Sequence, residues 1–336
     1  MRRWLASVAA VAVTAFLIVA FVSGRTEKVE RVALLMDTPV RVVAYGPRER
    51  AIHAADAVLA EVARLEGLWH PTRPGSDVVR LNASAGIAPV RVAPETATLV
   101  AAALEVAEAS GGAYDPTIGP LVKAWGFGGE QHRIPSDAER AAARALIDWR
   151  AVRVDRAAGT VYLEKPGMAL DLGGIAKGYA ASVCRAVLDR QGIRAGLVQL
   201  GGSVAVLGKR PGDARGAWQV AVAHPRKPEG FLTVLSLDKG FVDTAGDYQR
   251  YFEQDGVRYH HILDPSTGMP ARGVASVTVL TDRGEWADAY ATAAFVMGME
   301  RGYTLLSSHF DTIMVSAAGE AKVTPALAGL RLDVAP

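Results

Sequence analysis

Along most of this chain, hydrophobic and polar positions alternate in short runs, and in a few longer stretches they switch to a helical period. Residues 31–45 alternate around a break at Asp37-Thr38-Pro39, which predicts two strands joined by a tight turn. Ile52, Ala55, Leu59, Val62 and Leu65 then recur at helical spacing and mark one buried face. A second helix is expected over 95–109, stopped by Gly111-Gly112. A third starts at Ser136, where Glu139 completes a capping box. Residues 152–155 and 160–164 read as a hairpin across Arg156-Ala157-Ala158-Gly159.

Beyond residue 168 a short apolar strand passes through a glycine-rich turn into a helix running from Ile175 past Cys184. Short strands follow around Leu197, Val204, Val220, Leu235, Val242, Tyr251, Tyr259 and Val277. A helix over 285–297 interrupts them, and a last pair surrounds Ile313 and Val323. Gly201-Gly202 reads as a bulge or hairpin bend, and residues 211–216 as a surface loop. Strands mostly in hairpin order, with helices segregated from them, give an α+β fold with mixed, mainly antiparallel sheets and flanking helices. The chain shows no internal repeat, low-complexity tract or long linker.

The stretch from Met168 to Tyr179 carries the first chemistry. Asp171 and Lys177 stand across Gly173-Gly174, where the backbone can approach a ligand closely and the helix start favours an anion. The spacing is neither the GxGxxG of a dinucleotide fold nor a P-loop. Alone, it is equally a tight strand-to-helix connection.

Three further stretches change that reading. Gly111 to Val122 reads as a helix stop followed by a turn with Tyr114 and Asp115. His260-His261-Ile262-Leu263 closes a strand and leads into the turn Asp264-Pro265-Ser266-Thr267-Gly268. Asp288 and Thr292 lie at i and i+4, on one face of a helix otherwise made of small and apolar residues. In this order, together with the Asp171 run, these motifs resemble the FAD:protein FMN transferase family, the ApbE flavin transferases, over residues 30–330.

The resemblance implies a two-lobed fold with a ligand cleft between the lobes. It also implies Mg2+-dependent transfer of FMN from FAD to a threonine or serine hydroxyl of an acceptor protein, releasing AMP. Met36, Ala113, Tyr114, Asp115, Asp171, Lys177 and Ile262 would then contact the nucleotide. Mg2+ would sit on Asp288, Thr292 and the backbone carbonyl of Gly174, a hard oxygen set completed by water and phosphate. His261 is the candidate for proton transfer, or else a hydrogen-bonding partner of the nucleotide; His260 should face the other way, because strand neighbours alternate. Thr72 stands where many members carry a flavin-contacting tyrosine, and Trp69 is the aromatic available instead. Ser203 and Ala245 also depart from the family pattern, replacing an acid and a serine.

Two rival functions share this pocket: an FAD pyrophosphatase using water as nucleophile, and a non-catalytic flavin-binding protein, against which Asp288 and Thr292 count. Composition excludes more than it identifies. A net charge of +2 with dispersed basic residues gives no nucleic-acid signal, and the single cysteine, Cys184, allows neither an intramolecular disulfide nor a lipid anchor at the leader. Arg2-Arg3 followed by an uncharged stretch over 4–22 predicts a signal peptide or membrane anchor within residues 1–25. The expected location is therefore the periplasmic side of a bacterial inner membrane. The expected partners are acceptor flavoprotein subunits of exported or membrane redox complexes.

Overall fold

Two strands and a long helix open the fold: β1 (Glu27–Leu35), β2 (Thr38–Gly46) and α1 (Arg48–Trp69). The β1–β2 turn is Met36-Asp37, both with positive φ (51° and 55°). Next come α2 (Asp77–Ala83), β3 (Val90–Arg91), α3 (Pro94–Ala109), α4 (Gly119–Trp125), α5 (Asp137–Arg144), β4 (Val152–Asp155) and β5 (Thr160–Leu163). The capping box at Ser136 forms as expected. α6 (Gly173–Arg190) leads into β6 (Ala195–Leu200), β7 (Ser203–Leu207), β8 (Trp218–Ala223), β9 (Phe231–Leu237) and β10 (Gly240–Gly246). The chain finishes with β11 (Tyr251–Gln254), β12 (Val257–His260), β13 (Val274–Thr281), α7 (Gly284–Ser307), β14 (Asp311–Ser316) and β15 (Ala321–Val323). This computed structural model describes residues 26–129 and 131–334. The expected leader, residues 1–25, lies outside them, and no helix among the described residues is long and apolar enough to cross a membrane.

One eight-stranded antiparallel sheet, in the order β1-β2-β6-β7-β10-β13-β14-β15, is the frame. Alternation along its strands feeds two different layers. Val40, Val42 and Ala44 of β2 join the core under α1, α3 and α6, whereas Val43 joins the core under the β8–β9 hairpin. The period of two thus buries both faces of the sheet, at roughly 1.5–3 kcal/mol for each fully buried aliphatic side chain. α7 covers β13 and β14 through Phe295, Val277, Val279 and Met314.

A smaller lobe forms around Leu121 and Trp125 of α4, Phe127, Ala143 of α5 and Leu263, with Phe252 and Tyr259 of the β11–β12 hairpin packed against them. The indole N–H of Trp125 donates to the Gly268 carbonyl at 2.9 Å, tying α4 to the turn after His261. The molecule is an α+β fold with antiparallel sheets, as the hairpin order predicted.

Some elements differ from the sequence reading. β1 begins at Glu27, ahead of residue 31. α4 is a helix within a stretch read as a turn, and α2 lies in a stretch to which no element was assigned; each is one to two turns long, too short for a hydrophobic period to register. α7 continues to Ser307, but the expected end at residue 297 marks a real break, because Gly298 has φ 83° and kinks the helix.

Candidate active site

A cleft of about 710 Å3 lies between the helical layer and the smaller lobe. All twelve residues singled out from the sequence line it: Met36, Thr72, Ala113, Tyr114, Asp115, Asp171, Gly174, Lys177, His261, Ile262, Asp288 and Thr292.

One bank is the crossing of α6 and α7. Asp171 Oδ1 accepts the Gly173 N–H at 2.8 Å and so caps the start of α6. One turn on, Lys177 Nζ donates to the Gly173 carbonyl at 2.7 Å and lies 3.4 Å from Asp288 Oδ2. Gly178 is what lets the helices meet. A Cβ there would stand 3.0 Å from both Asp288 Cβ and the Gly284 carbonyl, and 3.1 Å from Asp243 Oδ2. A Cβ on Gly174 would lie 3.2 Å from the Tyr114 ring and 3.6 Å from Thr292 Oγ1, so these three residues are immediate neighbours. The Tyr114 hydroxyl is buried with no partner among the described residues. Burial, reinforced by the charges of Asp288 and Asp171, pushes its pKa well up and leaves it a neutral donor.

Gly174, Thr292 and Asp288 offer a carbonyl, a hydroxyl and a carboxylate, and this all-oxygen set suits Mg2+. Among the described residues no group of three or more His, Cys, Asp or Glu is placed to hold a metal. With one carboxylate, one hydroxyl and one carbonyl, the set fits a cation that takes its remaining ligands from substrate phosphate and water. Asp243, on β10 behind Asp288, was not anticipated. Burial first, and then the Asp288 charge, raise its pKa well above the usual carboxylate range. Its only sequence signal is an acid inside an apolar strand.

The other bank is built on the β11–β12 hairpin and its flanking turns. His261 is half-buried, its backbone N–H donates to the Arg250 carbonyl at 3.1 Å, and its Nδ1 lies 3.1 Å from the same oxygen. That carbonyl can only accept, so it selects the tautomer with Nδ1 protonated and leaves Nε2 as an acceptor. Burial, with the charges of Arg250 and Lys177, lowers the His261 pKa to about 3. His260 points the other way, as alternation predicted. It is buried, with Nε2 2.8 Å from the Ala271 carbonyl and its ring edge-on to Phe295.

Several residues reach the cleft already committed elsewhere. Asp115 Oδ1 accepts from the Thr117 N–H and hydroxyl, and Oδ2 from the Trp149 N–H; its acid shapes the loop that carries Tyr114. The Met36 N–H donates to Glu66 Oε1 at 3.1 Å, which supports its left-handed backbone. Thr72 lies on an exposed loop, its N–H 3.2 Å from His70 Nδ1. Trp69, which also lines the cleft, is 5% exposed, donates to Thr96 Oγ1 and packs edge-on to Tyr179. The exposed aromatic on the cleft is Tyr251, with the Arg258 guanidinium 4.1 Å from its ring centre. Cys184 is buried away from the cleft, and burial pushes its thiol up to about 12.

The family model described as the ApbE family matches residues 36–315, which contain every residue of this cleft. The chain belongs to the ApbE family. It is 39% identical over 301 residues to the FAD:protein FMN transferase of Treponema pallidum (strain Nichols), covering 84% of this chain and 82% of that protein. It is 35% identical over 281 residues to the FAD:protein FMN transferase of Klebsiella pneumoniae (strain 342), covering 83% and 85%. Among solved ApbE structures, the protein from Thermotoga maritima superposes with a TM-score of 0.84 at 34% identity, over 91% of this chain and 100% of that one. The Vibrio cholerae flavin transferase ApbE superposes with a TM-score of 0.79 at 28% identity, over 91% and 100%. The ApbE family fold therefore accounts for both the sheet frame and the small lobe that closes the cleft.

Proposed function

We propose that this chain transfers FMN from FAD to a threonine or serine hydroxyl of an acceptor protein, with Mg2+ as cofactor. The observation that carries this reading is the meeting of Gly174, Lys177, Asp288 and Thr292 at the start of one helix and the face of another. A lysine, a capped helix start and an all-oxygen donor set at one point suit a pyrophosphate. The names of the relatives, FAD:protein FMN transferases, support the same substrate pair.

In this reaction the acceptor oxygen forms a bond to the FMN-side phosphorus, the bridging P–O bond to the AMP phosphate breaks, and the hydroxyl proton leaves. Lys177 offsets phosphate charge as a point cation. His261, neutral with Nε2 unprotonated, accepts a hydrogen bond from the attacking hydroxyl and orients it, and the proton leaves to water. Tyr114, a buried neutral donor, offers its unpaired O–H to the bound nucleotide. Bound at Gly174, Asp288 and Thr292, Mg2+ would neutralise charge that builds on the pyrophosphate oxygens.

The catalytic part is assigned to the periplasmic side of the inner membrane, held or delivered by the leader. Its acceptors are then exported or membrane redox subunits. The apolar run over 4–22 behind Arg2-Arg3 supports this reading.

The test combines the chain with FAD, Mg2+ and an acceptor, read by in-gel flavin fluorescence and the mass gain of one FMN. Asp171→Ala, which uncaps the helix under the phosphates, is expected to weaken FAD binding by about 1–3 kcal/mol. FMN and AMP formed with no labelled acceptor would establish the pyrophosphatase instead. Equal affinity for FAD and riboflavin would remove the pyrophosphate contacts.

A further inference from the structure

We propose that the acceptor protein docks as an extended segment along the free edge of β8, adding a strand to the β8–β9 hairpin and delivering its hydroxyl at Lys177. This rests on the transfer reading above and names the surface that reading requires. Once a nucleotide fills the main cleft, the acceptor needs another way to the phosphorus. A second cavity of about 360 Å3 supplies one. It shares Met36, Asp37, Lys177, Thr244, Gln249 and Arg250 with the main cleft, so the two cavities adjoin at the phosphate-side lysine.

The far wall of that groove is β8. Val220, Ala221, Val222 and Ala223 all line it in succession. A strand that showed the groove only a face would contribute every second residue, because side chains alternate; four in a row means that β8 presents its backbone edge. β8 pairs with β9 alone, so this edge has no strand neighbour among the described residues. Unpaired backbone donors and acceptors beside a groove are the geometry by which an extended peptide adds a strand. The near wall is the Gly201-Gly202 bend, which packs so closely on β10 that a Cβ on Gly202 would reach 2.6 Å from the Thr244 carbonyl. Arg250 joins this groove to catalysis, since its carbonyl holds the His261 ring.

The experiment measures FMN transfer to an acceptor peptide by the full chain, alongside FAD affinity and background release of AMP to water. Ala221→Trp sets a bulky ring beside the β8 edge, at an exposed position outside the catalytic machinery, and crowds an incoming strand. It is expected to raise the KM for the acceptor at least about tenfold, the loss of one or two hydrogen bonds, with FAD affinity and AMP release within about twofold of wild type. Independently of any variant's folding, N-methylation scanned along the acceptor backbone should impair transfer by the wild type at alternate residues, because a ladder engages every second N–H. An unchanged KM in Ala221→Trp, or N-methyl effects without a two-residue period, would overturn strand addition while leaving the transferase reading intact. A wild type that releases AMP yet labels no acceptor would remove both.

Discussion

The two banks of the cleft are held by different physics. On the α6–α7 bank, each functional side chain is fixed from behind by close helix contact: Gly178 admits Asp288, and Gly174 admits Thr292 and Tyr114. On the opposite bank, His261 and Tyr251 sit on a two-stranded hairpin. It is supported by the rings of Phe252, Tyr259 and Trp125 and, for the imidazole, by one backbone carbonyl. The groups proposed to handle phosphate charge thus occupy the bank held by close helix contact, and those proposed to meet the flavin and the acceptor occupy the bank held by ring packing. Isolated hairpins gain most of their order from what they pack on, so the second bank depends on its aromatic cluster.

If that division is right, damage to the helical bank should separate chemistry from binding. Asp288→Ala is expected to lower FMN transfer by about 10³-fold or more, while FAD affinity falls about tenfold or less. Thr292→Val keeps the shape and loses only the hydroxyl, so its loss of transfer should be smaller. The measurement is single-turnover transfer beside FAD titration. Near wild-type transfer in Asp288→Ala would place the metal elsewhere.

The hairpin bank predicts a milder and pH-dependent effect. His261→Gln should lower kcat by about 10²-fold, as the attacking hydroxyl loses the group that orients it, with FAD affinity nearly unchanged. Burial and the charges of Arg250 and Lys177 depress the His261 pKa from 6.5 to about 3 in the folded chain. The unfolded chain therefore binds the extra proton between those values. The associated stability is present above about pH 6.5 and lost as pH falls toward about 3. Acidification from pH 7 to 4 should lower Tm more in the wild type than in His261→Gln. Equal slopes would show an imidazole that titrates freely.

The sheets were legible because a period of two survives where a strand buries one face, as in β8, and short buried runs mark strands covered on both faces, as in β10 and β13. The Gly298 break in α7 was legible for a local reason as well, the run of helical positions ending there. Neither signal reaches across the chain. That Gly178 and Asp288, 110 residues apart, would pack in contact follows from how α6 and α7 are laid on the sheet, and no local pattern encodes it. The site residues were found through the order of four motifs rather than through periodicity. Arg250 escaped because it acts through its carbonyl, which every residue carries. Asp243 escaped because one acid in an apolar strand gives no indication of what it faces. Trp69, the aromatic available in place of a tyrosine at 72, lines the cleft at the end of α1 and packs into the core as well.

The closest test of the rigid bank is also the smallest change to it. Gly178→Ala adds one methyl where α6 and α7 cross, with Asp288 Cβ and the Gly284 carbonyl both 3.0 Å from its position. In an open helix this substitution would stabilise by roughly 0.5–1 kcal/mol, since alanine loses less backbone entropy. Here overpacking opposes that gain, because neither neighbour is the far end of a flexible side chain, and the helices must separate at a cost of about 1–3 kcal/mol. The net expectation is a Tm lower by a few degrees, together with transfer reduced about tenfold as Asp288 moves off Lys177. Gly329→Ala, where nothing lies within 4 Å, serves as the control and should change neither. If Gly178→Ala stabilised the chain and kept full activity, the crossing would be as adjustable as the hairpin, and the contrast between the two banks would disappear.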